Sequence, residues 1–258
     1  MAPPDLQKLL DLVARLRAPD GCPWDREQGL ESVRAYLLEE AHETAAAIDG
    51  GDWDELAAEL GDLLFQVAFL GRLAEEAGAF QLSQAIDGVH DKMVARHPHV
   101  FGDEVLADAE AVRQAWERRK LQKERQKGGS LLSGVAPTLP ALLAAYRLTQ
   151  KAAGVGFDWP DAGDVLEKME EETAELREAL AAGDRAALRE EVGDLLFTVA
   201  NLARKLDVDP EAALAGTNDK FRRRFAAVEA GLAARGKTPA DSSLEEMDEL
   251  WEQAKTPK

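Results

Sequence analysis

The sequence lacks the features that define several large classes of protein. It contains a single cysteine, Cys22, among 258 residues, so no disulfide can form within the chain and a reducing compartment is expected. The longest apolar stretches, such as 63–70, are far too short to span a bilayer core of about 30 Å. The N-terminus carries early charges and has no apolar signal core. These absences predict a cytoplasmic protein with no membrane partner.

Signals for strands and for nucleic-acid binding are also missing. There are no alternating runs of Val, Ile and Thr and no Asn-Gly hairpin turns. The formal net charge is −18, and Lys and Arg are mixed among acids instead of forming a basic stripe. Such a surface repels nucleic acid, so no nucleic-acid partner is expected. An anionic substrate would need cations or a local basic patch.

What the sequence does contain is one block that occurs twice, at a constant offset of 132 residues. Residues 39–70 align without a gap to residues 171–202, and both hold Glu-Glu-x-x-Glu followed by Glu-x-Gly-Asp-Leu-Leu-Phe. A period of this length suits a duplicated domain better than a solenoid. Between the copies, Gly128-Gly129-Ser130 begins a flexible, turn-rich stretch. We predict an N-terminal domain over 1–128, a linker over 129–136 and a C-terminal domain over 137–258.

Helical periodicity runs through both copies of the block. The i, i+3, i+4, i+7 spacing of one helical face is followed by Leu60, Leu63, Leu64, Val67 and Leu70, and again by Val192, Leu195, Leu196, Val199 and Leu202. Breaks at Gly50-Gly51-Asp52 and Gly183-Asp184 predict a helical hairpin in each copy, with Asp as the N-cap of its second helix. Further helices are predicted around 81–96, 104–125, 209–232 and 243–254. The predicted fold class is all-α, with two tandem helical-bundle domains.

The acids that both copies retain form a candidate metal site. They are Glu40, Glu43, Glu59 and Asp62 in the first copy and Glu172, Glu175, Glu191 and Asp194 in the second. Residues three apart on a helix share a face, and a hairpin brings two such pairs together. Carboxylates at this density repel unless a cation lies between them. Oxygen-only ligands favour Mg²⁺, with Mn²⁺ also possible. The alternative, a solvated acidic face, does not explain why the acids recur while their neighbours change.

A second metal interpretation rests on His42. The step Glu39-x-x-His42 matches the Glu-x-x-His ligand pattern of di-iron bundles. The second copy has Ala174 at the position of His42, so a histidine ligand would be missing there. We therefore interpret His42 as incidental and the di-iron class as the weaker alternative.

Basic residues recur downstream of each acidic hairpin. Lys92 and Arg96 follow the first, and Lys220 and Arg224 follow the second, each pair at i, i+4 spacing. A Lys and an Arg beside a metal–carboxylate site are what binding of a polyphosphate requires. Ordinary salt bridging along a helix is the open alternative. Trp251, late in the second repeat, either stacks on a base or packs in the core.

In this order, the motifs resemble those of the MazG family of nucleoside triphosphate pyrophosphohydrolases over essentially the full chain. They are Cys22-Pro23-Trp24-Asp25, Glu39-Glu40-x-x-Glu43, Glu59-Leu60-Gly61-Asp62, Arg96-His97-Pro98-His99-Val100-Phe101, Gly156-Phe157-Asp158-Trp159, Glu171-Glu172-x-x-Glu175, Glu191-Val192-Gly193-Asp194 and Lys220-Phe221-x-Arg223-Arg224-Phe225. The resemblance implies an all-α fold of tandem domains, usually a homodimer in which helices of two chains complete each pocket. It also implies Mg²⁺-dependent hydrolysis of nucleoside triphosphates to the monophosphate and pyrophosphate.

The resemblance also implies roles for individual residues, with the second domain as the main catalyst. Its metal ligands are Glu172, Glu175, Glu191 and Asp194, and its catalytic residues are Glu172, Glu175, Lys220 and Arg224. The predicted substrate-binding residues are Lys168, Lys220, Arg223, Arg224 and Trp251, together with Lys92 and Arg96 of the first domain. The first domain departs from the pattern because Tyr36 stands at the position of Lys168. It is therefore expected to bind nucleotide and to turn it over poorly.

One alternative to an enzyme remains open from the sequence. A non-catalytic helical interaction protein that senses nucleotides would bind a triphosphate without turning it over. The sequence does not fix the base or sugar of the nucleotide.

Overall fold

The structure is a computed structural model that describes residues 4–109, 111–112, 115–116, 119 and 130–255. The described residues form α-helices and short 3₁₀ turns and no strand, which confirms the all-α prediction. None of the described helices is long and apolar enough to cross a membrane. The chain divides into two compact units, Met1–Ala107 and Asp108–Lys258. The predicted boundary at 128 lies outside the described residues, so the domain ranges stay predictions.

The first unit is built around a long helical hairpin. Its helices are α1 (Pro4–Leu16), α2 (Pro23–Glu27), α3 (Leu30–Gly50), α4 (Trp53–Glu76), α5 (Leu82–Arg96) and α6 (Pro98–Phe101). Helices α3 and α4 form the hairpin, and α1 and α5 both pack on α4. Val13, Val33, Ala68 and Phe69 are almost completely buried and make the core between α1, α3 and α4.

The second unit repeats the hairpin and adds a second helix pair. Its helices are α7 (Ala141–Ala153), α8 (Ala162–Ala182), α9 (Arg185–Lys205), α10 (Pro210–Ala234) and α11 (Leu244–Lys255). Helices α8 and α9 form the hairpin, α7 packs on α9, and α10 packs on α11. Val228, Leu232 and Leu250 form the buried core between α10 and α11.

The two hairpin turns have the same chemistry. Gly51 and Gly183 each follow the first helix with φ of +70°, a left-handed conformation that favours glycine. The next residue, Asp52 or Asp184, caps the second helix by accepting hydrogen bonds of 2.9 and 3.2 Å from two backbone N–H groups. The predicted breaks and N-caps are therefore confirmed, and they fix where each pair of acids begins.

The helices predicted outside the hairpins agree with the structure, with one exception. Helices α5, α10 and α11 begin and end within two residues of the predicted ranges 81–96, 209–232 and 243–254. The helix predicted over 104–125 begins later, because residues 104–108 are not helical and the Asp108 side chain accepts from the backbone N–H of Ala111. The described residues from 109 to 119 are helical, and 120–125 lie outside the described residues. Within the predicted linker, Leu131–Gly134 form one 3₁₀ turn.

The apolar face that identified the hairpin helices is only partly covered in the single chain. Leu60 and Leu64 of α4 are 44% and 51% exposed, and their counterparts Val192 and Leu196 of α9 are 46% and 52% exposed. The residues of α4 that are buried are instead Ala68 and Phe69 and others on the side that faces α1. Each second hairpin helix thus has two apolar sides, and periodicity alone did not separate them.

The core of the second unit should be sensitive to loss of volume at Leu232, which is fully buried. Leu232→Ala should lower the free energy of unfolding by about 2–5 kcal/mol, because it removes buried methyl groups and leaves a cavity. Leu180→Ala is the matched control, since Leu180 is 67% exposed, and should change stability by about 0.5 kcal/mol or less. Urea denaturation followed by circular dichroism gives both values. Equal losses for the two variants would contradict this description of the core.

Candidate functional site

Each hairpin gathers three carboxylates into one group. In the second unit, Glu172 and Glu175 of α8 meet Glu191 of α9, and one oxygen from each lies within 4.8 Å of the other two. In the first unit, Glu40 and Glu43 of α3 meet Glu59 of α4 in the same way. We call these the second and the first acidic cluster. Three hard oxygen donors at this spacing suit a divalent cation such as Mg²⁺, so the residues present fit the predicted metal.

The predicted fourth ligand of each set lies at the edge of its cluster. Asp62 and Asp194 are exposed and are not part of the three-oxygen groups. Their charges still act on the clusters, since Asp62 raises the pKa of Glu40 and Glu59 and Asp194 raises the pKa of Glu191, in each case after the larger effect of burial. The structure therefore brings together three of each predicted four ligands and keeps the fourth within electrostatic range.

The electrostatics of the clusters follow from burial and like charge. Loss of solvation is the largest cause that raises the pKa of Glu191, and repulsion from Glu175 and Glu172 adds to it. The pKa of Glu59 is raised by the same causes, with Glu43 as the main charged neighbour. A carboxyl group whose pKa is raised in this way favours either a proton or a cation. The same pattern in both hairpins marks the clusters as equivalent sites.

Lys168 lies directly at the second cluster. Its Nζ is 2.8 Å from Oε1 of Glu171 and 2.7 Å from Oε1 of Glu172. These hydrogen bonds, first from Glu171 and then from Glu172, raise the pKa of Lys168 well above its ordinary value. Glu172 is only 5% exposed, so Lys168 compensates a carboxylate that solvent hardly reaches. The lysine singled out in the sequence is therefore in contact with a predicted metal ligand.

The first cluster has a different partner. Tyr36, at the position of Lys168, packs its ring against Trp24 with 6.2 Å between centroids. The carboxylate of Glu40 instead accepts a hydrogen bond from Nε2 of Gln66, at 3.3 Å. Gln66 was not among the predicted site residues. Its spacing from Glu59 and Asp62 places all three on one face of α4, and this signal could have found it.

The predicted basic residues of the second unit lie on α10. Lys220 and Arg223 are exposed, and the Arg224 guanidinium lies 5.8 Å from the centre of the Trp251 ring. Trp251 also contacts Phe221, with 5.2 Å between ring centres, and both line a cleft of about 290 Å³. In the described part of the chain, no ion pair joins Lys220, Arg223 or Arg224 to the second cluster. Their contact with a shared triphosphate stays a prediction.

The corresponding residues of the first unit lie on α5. Lys92 is exposed and Arg96 is half-buried near the end of that helix. Helix α5 packs on α4 and α6. His42 is exposed on α3 and belongs to neither acidic cluster. That placement agrees with the interpretation of His42 as incidental.

Ion pairs that the sequence did not reveal hold the segments beside the hairpins. In the second unit, Asp158 accepts from Arg204 at 2.5 Å and from Lys205 at 2.8 Å, at the end of α9. Burial opposes ionisation of Asp158, but these two cations outweigh it and its pKa lies below the ordinary value. In the first unit, Arg17 pairs with Glu76 at 2.7 Å. Residues that are distant in sequence form both pairs, so only the tertiary structure could reveal them.

The fold and the site define an all-α protein with two equivalent carboxylate sites suited to divalent cations. A family model described as the MazG nucleotide pyrophosphohydrolase domain matches residues 28–101 and 163–228. These ranges contain both acidic clusters. The chain therefore belongs to the MazG family of nucleotide pyrophosphohydrolases, which confirms the resemblance seen in the sequence and the prediction of an enzyme.

Relatives similar over nearly the whole chain have been named in bacteria. A nucleoside triphosphate pyrophosphohydrolase of Escherichia coli (strain K12) is 43% identical over 256 residues, which is 97% of each chain. The nucleoside triphosphate pyrophosphohydrolase/pyrophosphatase MazG of Thermotoga maritima is 43% identical over 249 residues, 96% of this chain and 95% of its own. A nucleoside triphosphate pyrophosphohydrolase of Mycobacterium tuberculosis is 32% identical over 213 residues, 79% of this chain and 65% of its own.

The raised pKa of Glu191 predicts how the second cluster affects stability. A carboxyl group with a raised folded-state pKa supports folding below its ordinary value of 4.5, and this contribution is lost as pH rises through the folded-state pKa. In the presence of a chelator, Glu191→Gln should therefore raise the thermal midpoint at neutral pH and leave it nearly unchanged below pH 4.5.

The exposed residue Glu229, outside the cluster, gives the control variant Glu229→Gln. It should show no such pH-dependent gain when both variants are followed by circular dichroism. A midpoint for Glu191→Gln below that of the wild type at neutral pH would show that the carboxylate is stabilising and would contradict the electrostatic description.

Proposed function

We propose that this chain hydrolyses nucleoside triphosphates to the monophosphate and pyrophosphate, with Mg²⁺ as the metal and Mn²⁺ as a possible substitute. The observation that carries the proposal is the second acidic cluster, where three carboxylate oxygens lie within 4.8 Å of one another beside Lys168. Family membership supplies the reaction class, and the relatives named as nucleoside triphosphate pyrophosphohydrolases supply the substrate class.

The carboxylates of Glu172, Glu175 and Glu191, with Asp194 nearby, would hold the metal. When bound, Mg²⁺ supplies positive charge for the phosphate oxygens and lowers the pKa of a coordinated water. In the proposed reaction the water oxygen bonds to the α-phosphorus while the bond from that phosphorus to the bridging oxygen of pyrophosphate breaks. Glu171 lies outside the three-oxygen cluster, so it is a candidate to accept the proton of the water, with Glu175 as the other.

The basic residues of α10 would act on the leaving group. Lys220 and Arg224 would neutralise the charge that builds on pyrophosphate as the bond breaks, and Arg223 would add to the positive field. The cleft between Phe221 and Trp251 offers an aromatic surface on which a base could stack. This assignment is supported by the motif order and by the position of Arg224 over Trp251.

The second site is proposed as the main catalyst. Lys168 is present there and lies at hydrogen-bond distance from Glu172, whereas Tyr36 takes its place in the first site. A cation at this position can compensate both a buried carboxylate and the triphosphate, and a tyrosine cannot. The first site retains its acids and is proposed to bind nucleotide with little turnover.

The catalytic proposal predicts different effects for matched substitutions in the two clusters. Glu175→Ala should lower the rate of pyrophosphate release by about a hundredfold or more, because it removes a metal ligand and a candidate base. Glu43→Ala, the matched change in the first cluster, should have a much smaller effect. Pyrophosphate release from a panel of nucleoside triphosphates with Mg²⁺ gives both rates.

Two results would count against the proposal. Activity that survives both Glu175→Ala and Glu43→Ala would remove the site assignment. Binding of triphosphates with no release of monophosphate or pyrophosphate by the wild-type chain would favour the nucleotide-sensing alternative. Metal analysis of the purified protein separates magnesium from the iron of a di-iron bundle.

A homodimer is proposed on the same grounds as the family resemblance and on one feature of the structure. The exposed apolar face of α4, with Leu60, Leu64 and Val67, recurs on α9 as Val192, Leu196 and Val199. Apolar faces of this kind, repeated beside the functional site, are typical of surfaces that another chain covers. The proposed occupant is a second copy of this chain. A cytoplasmic location stays a prediction.

The dimer proposal predicts the outcome of charge substitutions on these faces. Leu64→Glu combined with Leu196→Glu should shift the chain from dimer to monomer, because burying two carboxylates in an apolar interface is costly. Leu180→Glu is the control, on an exposed leucine near the hairpin turn, and should leave the mass unchanged. Light scattering after gel filtration measures both. A wild-type chain that is monomeric at all concentrations would overturn the proposal.

A further inference from the structure

The two acidic clusters hold an equivalent glutamate by different chemistry. Glu40 and Glu172 are separated by the repeat offset of 132 residues and occupy the same place in their hairpins. Glu172 receives Lys168 from its own helix, one turn earlier, at 2.7 Å. Glu40 receives the amide of Gln66 from the opposite helix at 3.3 Å. One glutamate therefore has a cationic partner and the other has a neutral one.

The residues that differ between the copies exchange these roles in pairs. Where Lys168 stands in the second copy, the first has Tyr36, which packs on Trp24. Where Gln66 stands in the first copy, the second has Thr198, whose hydroxyl donates to the backbone carbonyl of Asp194 at 2.8 Å and so does not reach Glu172. Each copy thus has one partner for its inner glutamate, supplied from a different position.

Burial makes the choice of partner important. Gln66 is 8% exposed and Glu172 is 5% exposed, so neither partner is freely exchanged for water. Hydrogen bonds from a neighbour orient a carboxylate that binds a metal, and losing such a neighbour typically costs about 10- to 100-fold in metal affinity. A lysine ammonium also orients its carboxylate, but its positive charge repels a divalent cation at the same site.

We propose that Gln66 is a positioning residue that orients Glu40 without charge, so that the first site takes up a divalent cation alone more readily than the second. In the second site, Lys168 holds Glu172 as a counter-ion, and a divalent cation must compete with it for that carboxylate. The positive charge of Lys168 is then best used when an anionic triphosphate arrives together with the cation. This inference rests on the proposed function, since it takes the two clusters as cation sites.

The test measures Mn²⁺ binding to the full-length chain without nucleotide, by the electron paramagnetic resonance signal of free Mn²⁺. Glu175→Ala leaves the first site to be measured, and Glu43→Ala leaves the second. In the Glu175→Ala background, Gln66→Met should weaken Mn²⁺ binding by about tenfold. In the Glu43→Ala background, Lys168→Met should tighten Mn²⁺ binding by about fivefold. A purely structural role for both residues would weaken binding in both cases.

Matched variants keep the result interpretable. Thr198→Val, at the position of Gln66, should change Mn²⁺ affinity of the second site by less than about twofold, because its hydroxyl does not contact Glu172. Gln66→Asn should weaken the first site as Gln66→Met does, since its shorter amide no longer reaches Glu40, and it serves if the methionine variant fails to fold. Circular dichroism checks the fold of each variant.

The outcomes separate the inference from the function on which it rests. If Glu175→Ala and Glu43→Ala leave Mn²⁺ binding unchanged, the clusters are not the cation sites, and both proposals are overturned. If those two changes each remove sites but Gln66→Met and Lys168→Met shift the affinity in the same direction, or not at all, only the inference about the two partners is overturned. Shifts of opposite sign support it.

Discussion

Repulsion between carboxylates is the constraint around which both halves of this protein are built. Each helical hairpin places three acidic oxygens within 4.8 Å of one another, at the side of a helix whose other residues are largely apolar. Burial and like charge raise the pKa of the acids on the second hairpin helix, Glu59 and Glu191. Compact folding here is favourable only because the turns, the core and the partners of the glutamates offset that repulsion, and a divalent cation would complete the compensation.

The compensation differs between the repeats, and this difference separates their proposed functions. The second repeat places the Lys168 ammonium at 2.7 Å from a glutamate that is nearly buried. The first repeat uses a neutral amide from Gln66 and gives the lysine position to Tyr36, which packs on Trp24. Duplication thus kept the ligands and changed the charge beside them. A site with a lysine suits a triphosphate, and a site without one suits a cation.

The sequence predicted the hairpins well because their determinants are local. Acids three apart, a glycine and an aspartate between two helices, and an apolar repeat are enough to place Glu172 and Glu175 on one face and to cap α9 at Asp184. The helix over 104–125 was predicted to start too early, because Asp108 acts as the cap and composition alone did not distinguish it. Lys168 was found through resemblance, and its contact with Glu172 follows from the i, i+4 spacing.

The sequence by itself thus determined the all-α class, the duplicated hairpin and the identity of the clustered glutamates. Only the tertiary structure decided which third carboxylate closes each cluster, that Gln66 reaches Glu40, and that Asp158 pairs with Arg204 and Lys205. It also showed that the apolar face with Leu64 and Leu196 is exposed while Phe69 is buried. The physical reason is that periodicity fixes which residues share a helix face, whereas distances across helices depend on how those faces pack.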